Sequence, residues 1–131
     1  MKLRVARATN NLGKILAFYR DGLGLDLLSQ FKDHAGFSGI MLGHASSQYH
    51  LEFTNESGVA IPSAPTKENL LVFYFPMAPE WRLAVERMNK HGFLSVKSHN
   101  PYWDIHGKTF EDFEGYRVVL VNEDWNPKIP K

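Results

Sequence analysis

One order of elements occurs twice along the chain, and that repeat restricts the possible folds more than any other feature. Residues 2–9 read as a strand, with Leu3 and Val5 apolar and Arg4, Ala6 and Ala8 between them. Asn10 and Asn11 offer a helix N-cap. Leu12, Ile15, Leu16, Tyr19 and Leu23 follow at helical spacing, and Gly22 and Gly24 stop the helix. Three strand-like runs come next, at 25–31, 36–42 and 49–54, separated by the turn-rich KDHAG and GHASSQ. After NESGVAIPSAPTKE (55–68), a linker or long loop with two prolines, the order returns. The run 70–75 is dense in β-branched and aromatic residues. Pro79 suits a first helical turn; Trp81, Ala84, Val85 and Met88 recur at helical spacing up to Gly92. Strands are expected at 94–98, 108–112 and 116–121. The expected fold is α+β: two βαβββ modules forming a curled mixed-sheet cup with helices on the outside. Module one spans about 2–54, module two about 69–122, and 123–131 is a tail.

Composition removes several classes of function. With 131 residues, 44% hydrophobic and 22% charged, the chain can bury a core and is not disordered. Fifteen basic and fourteen acidic residues leave a net charge of +1, which argues against nucleic acid or an anionic membrane as partner. No cysteine is present, so disulfides, thiolate catalysis and Cys-ligated zinc are excluded. No segment has the length or apolarity of a signal peptide or a bilayer span, and a cytoplasmic location is expected.

Strand alternation selects the candidate site. In YHLEFT (49–54), His50, Glu52 and Thr54 share one face, while Leu51 and Phe53 share the other. The apolar face should pack on helices and the polar face should line the cup. Arg4, Ala6 and Ala8 join the polar face from the first strand, and Arg117, Val119 and Val121 from the last. Arg4 and Arg7, three apart, fall on opposite faces of a regular strand, so one can meet a ligand while the other lies along the surface. Tyr74 by parity, and Trp103 in the loop entering the last hairpin, are the best aromatic candidates for a pocket wall.

Three stretches carry a family resemblance. They are Asn11-Leu12 with FYRDGLGL (18–25), YHLEF (49–53) and GKTFEDFEGYRVVLV (107–121), the last preceded by NPYWDIHG (100–107). In this order and spacing the chain resembles the vicinal-oxygen-chelate superfamily of glyoxalase I, extradiol dioxygenases, and fosfomycin- and bleomycin-resistance proteins. That resemblance implies a divalent metal held by up to four side chains, one on each of four strands. Carried over residue by residue, those positions hold Arg4, Glu52, Leu70 and Val119. A guanidinium has no lone pair to give a metal, and Leu and Val have none either. One ligand of four is too few for a stable divalent site. No metal and no cofactor are therefore expected.

The residues expected to bind ligand are Arg4, His50, Glu52, Tyr74, Trp103 and Arg117. Each has a bland alternative. Glu52 can be a structural partner of Arg4 or Arg117, and most of the aromatics can be core. The six histidines make no HxH or HxxxH pair, and His91 at a helix C-terminus is explained by the helix dipole. No nucleophile elbow or phosphate-cradling glycine loop is present, so no catalytic residue is assigned. The expected function is a metal-independent small-molecule binder of the glyoxalase/bleomycin-resistance type. Its partner is a small organic molecule, and by resemblance it is a homodimer. One alternative is a metal-dependent lyase, isomerase or dioxygenase of the same superfamily with rearranged ligands, for which His50 and Glu52 are the only close pair of ligand type. Another is a protein-interaction domain with a vestigial cup.

Overall fold

The computed structural model describes residues 1–127, so the end of the expected tail lies outside the described residues. The fold is α+β, with two mixed sheets of four and three strands, neither of them closed. The chain divides into two compact units, Met1–Ser63 and a second beginning at Ala64. No helix among the described residues is long and apolar enough to cross a membrane.

In the first unit, β1 (Leu3–Ala8) is followed by a helix α1 (residues 12–22) and then by β2 (Asp26–His34), β3 (Phe37–Gly43) and β4 (Tyr49–Glu56). The sheet order is β1-β4-β3-β2, with β1 and β4 parallel and the other pairs antiparallel. Asn11 caps α1, its side-chain oxygen accepting from the Lys14 amide at 3.0 Å. The helix is α-helical over Leu12–Ile15 and π-helical over Leu16–Gly22. It ends at Gly24, whose φ of 87° suits glycine and lets its amide reach the Arg20 carbonyl. Ile15, Phe18 and Tyr19 of α1 are buried, as are Ile40, Leu42, Leu51 and Phe53 of the sheet. The Tyr19 and Phe53 rings lie 4.8 Å apart, so the apolar sheet face packs on the helix, as alternation predicted. Arg7 belongs to that face: its guanidinium stacks over Phe53 at 4.9 Å and donates to the Tyr19 hydroxyl.

In the second unit, β5 (Leu70–Tyr74), α2 (Ala78–Lys90), a short α3 (Tyr102–Ile105), β6 (Gly107–Glu111) and β7 (Arg117–Val121) follow in order. The sheet order is β5-β7-β6, with β5 and β7 parallel. Pro79 lies in the first turn of α2, and the Trp81 indole donates to the Leu120 carbonyl at 2.9 Å, tying the helix to β7. The β6–β7 turn is closed by Asp112, whose carboxylate accepts from the amides of Glu114 and Tyr116.

The strand expected at 94–98 does not form; one bridge, Val96 to Thr109, is all that remains of it. Side chains have captured the backbone just after the bridge. The Ser98 amide donates to the Asp104 carboxylate at 3.2 Å, and the Lys97 carbonyl accepts from Arg117. Those groups would otherwise have extended a ladder beyond β6. The α3 turn, expected only as loop, supplies that Asp104.

Candidate functional site

The regular parallel pairing of β1 with β4 brings three of the expected residues together. Arg4 stands beside His50 in register, and Ala6 beside Glu52, so all of them share the sheet face away from α1. The Arg4 Nε donates to His50 Nε2 at 2.8 Å, and its Nη1 lies 3.6 Å from a Glu52 carboxylate oxygen. Arginine can only donate, so His50 Nε2 must offer a lone pair and carry its ring proton on Nδ1. Glu52 is mostly buried, with 16% side-chain exposure, whereas Arg4 keeps 48% and can meet a solute. Gly43 stands opposite His50 on β3, and a β-carbon there would come within 3.2 Å of the His50 Cβ. The glycine leaves that ring its room.

This face opens into a pocket of about 410 Å³ lined by Lys2, Arg4, His44 and His50, by the hydroxyl residues Ser29, Ser47 and Tyr49, and by Leu28, Met41 and Ala45. His44 is held by Asp26, with Nδ1 3.0 Å from a carboxylate oxygen. Burial pushes the Tyr49 phenol above its ordinary value.

Several of these residues escaped the sequence reading. A register shift between Leu27 and Ser29 breaks the alternation of β2, and Leu28 and Ser29 both reach the pocket. His44, Ala45 and Ser47 come from the β3–β4 loop, where no periodicity exists to read. The basic neighbour two positions before Arg4 was the one available signal for Lys2.

The other expected residues lie in the second unit. Tyr74 ends β5 and is exposed; Trp103 sits in α3 against Tyr102, ring centroids 5.1 Å apart. Arg117 is only 6% exposed, and its donors are committed to Glu111 at 2.9 Å and to the Lys97 carbonyl. It is a structural ion pair within β6–β7, and β7 is buried along its whole length rather than alternating.

The donor set does not fit the superfamily's metal. Register places Leu70 beside Arg117 in the second sheet as Arg4 stands beside His50 in the first, and Val119 occupies the place of Glu52. Among the described residues no group of three or more His, Asp or Glu is placed to hold a metal ion. The one imidazole beside Glu52 has its Nε2 occupied by a guanidinium, whose charge repels a cation at that point.

Comparison with known proteins places the chain. Residues 3–54 match the YycE-like N-terminal domain and residues 68–122 the YycE-like C-terminal domain. The uncharacterized protein YycE of Bacillus subtilis is 40% identical over 121 residues, covering 92% of this chain and 87% of that protein. A crystal structure of a YycE protein of unknown function from Bacillus subtilis, provisionally called a glyoxalase/fosfomycin resistance protein, superposes with a TM-score of 0.88 at 38% identity. It covers 95% of this chain and 91% of that one. A trypanothione-dependent glyoxalase I of Leishmania major shares the fold, with a TM-score of 0.72 at 21% identity over 94% of this chain and 86% of its own. The chain thus belongs to the YycE-like family, within the vicinal-oxygen-chelate superfamily.

Proposed function

We propose that this protein binds a small organic molecule without the metal of its superfamily. The observation that carries the reading is the Arg4 guanidinium, which stands where the resemblance puts a metal ligand and bridges His50 and Glu52. The pocket beside it, part polar and part apolar, supports the same reading, since small-molecule sites combine apolar walls with a few placed polar groups. A cytoplasmic homodimer belongs to this proposal. It is supported by the resemblance to bleomycin-resistance proteins, and light scattering that returned only a 15.0 kDa monomer would remove the dimer.

The competing reading is a metal-dependent lyase, isomerase or dioxygenase with rearranged ligands. The glyoxalase/fosfomycin description of the YycE structure favours it. Metal analysis separates the two. Protein purified without chelator, then loaded with nickel, zinc, manganese or iron, should retain no stoichiometric ion after desalting and should turn over neither thiol conjugates nor catechols. A tightly held ion that disappears in Glu52→Ala would reverse the assignment.

A further inference from the structure

We infer that the pocket at the Lys2–Arg4 end of the first unit's sheet binds an organic anion, one carboxylate, phosphate or phosphonate carried on an apolar body. The inference rests on the small-molecule reading and specifies the class of molecule. Two cations and two imidazoles line the pocket, and no Asp or Glu does. The carboxylates that touch this lining are already held: Glu52 by Arg4, and Asp26 by His44. Their charge fixes the orientation of the Arg4 and His44 side chains and leaves the donors in excess. Lys2 and Arg4 balance Glu52 and Asp26 in charge, so what the lining holds in excess is hydrogen-bond donors, with the Lys2 ammonium the one cation there that no carboxylate faces among the described residues.

The geometry suits an oxyanion. Lys2 and Arg4 are two residues apart in extended chain, roughly 7 Å between Cα atoms, so two long flexible side chains can converge on one group. Arg4 is pre-oriented, because its Nε is fixed on His50 and its Nη1 faces Glu52, and its Nη2 takes no hydrogen-bond partner among the described residues. Arginine ordered in this way gives up little side-chain entropy when it binds. Ser29 and Ser47 add hydroxyl donors to the lining. A volume of about 410 Å³ is far more than an inorganic anion fills, and Leu28, Met41 and Ala45 offer contact to a ring-sized body.

Calorimetric titration with 1-naphthoate, phenylphosphonate and the neutral 1-naphthamide tests the inference on the wild-type protein and on Lys2→Met. At least one anion should bind, and the difference between the two distinguishes carboxylate from phosphonate recognition. 1-Naphthamide should bind about tenfold more weakly than 1-naphthoate, and Lys2→Met should weaken the anion about tenfold while leaving the amide unchanged, the size expected for one charged hydrogen bond. Added salt should weaken the anion more than the amide. Equal binding of amide and naphthoate would overturn the anion assignment and leave the small-molecule reading standing. Anion binding that is indifferent to Lys2→Met would place the site elsewhere. Silence from all three probes would count against both.

Discussion

The two sheets share one plan and differ in what they do with it. In both, the first strand lies parallel to the last, and the penultimate strand pairs antiparallel with the last, so that β1-β4-β3 in one corresponds to β5-β7-β6 in the other. The last strand of the first unit alternates: Leu51 and Phe53 are buried while His50, Glu52 and Thr54 remain partly accessible. The last strand of the second unit, RVVLV, is buried at every position. The first sheet therefore keeps one face polar and partly accessible, and the second converts the same positions into core. A duplicated fold does not have to carry a duplicated site: the pairing scheme is set by the backbone, while each face is free to become pocket or core.

Exchanging residues at the corresponding positions gives the largest expected effect. Val119 is fully buried, and Val119→Glu puts an unpaired carboxylate into that core. A loss of roughly 3–5 kcal/mol is expected, enough to unfold a marginal domain. The converse change, Glu52→Val, removes a half of a partly exposed ion pair from an accessible face and should stay within about 1 kcal/mol. Thermal or urea unfolding of the two variants checks this asymmetry, and similar losses in both would show that the faces are not so different.

The two arginines should differ in the same direction by less. Arg117→Met strands the Lys97 carbonyl and leaves Glu111 without its partner, at a cost of about 2–3 kcal/mol. Arg4→Met should cost less than about 1 kcal/mol, since Arg4 is half exposed, and its effect should instead appear in ligand binding. A large stability loss from Arg4→Met would recast the Arg4–His50–Glu52 set as structural.

The same contrast separates what could be read from the sequence from what could not. Arg4, His50 and Glu52 were legible because β1 and β4 are regular, and alternation in two regular parallel strands fixes which side chains share a face. Val119 and Arg117 obeyed the same alternation, yet burial on both sides of β7 is a property of packing that alternation alone does not reveal. The missing strand at 94–98 has suitable apolar residues, and alternation does not show that Asp104 and Arg117 take the Ser98 amide and the Lys97 carbonyl instead of a neighbouring strand. Leu28 and Ser29 were hidden by a bulge, which shifts parity without changing composition. The π-helical turns at Leu16–Gly22 carry the same apolar spacing as an α-helix, so periodicity could not distinguish them.

The smallest expected effect is in the alkaline limb of stability, and it probes how dry the pocket wall is. Tyr49 lies half buried where β4 begins, and desolvation raises its pKa above the ordinary 10.0. The folded state then binds the phenolic proton more tightly than the unfolded chain does, so stability falls as pH rises from about 10 through the folded value. Below about pH 10 both states are protonated and Tyr49 contributes no pH dependence. Tyr49→Phe should flatten the slope of unfolding free energy above pH 10 and leave it unchanged at neutral pH, as urea titrations at matched pH would show. A ligand that excludes water from this wall should raise the phenol further, read as a displaced ultraviolet titration of the tyrosinate. If the titration of Tyr49 stays put when a pocket ligand binds, the ligand does not touch this wall, and the accessible face of the first sheet has to be explored nearer Glu52 instead.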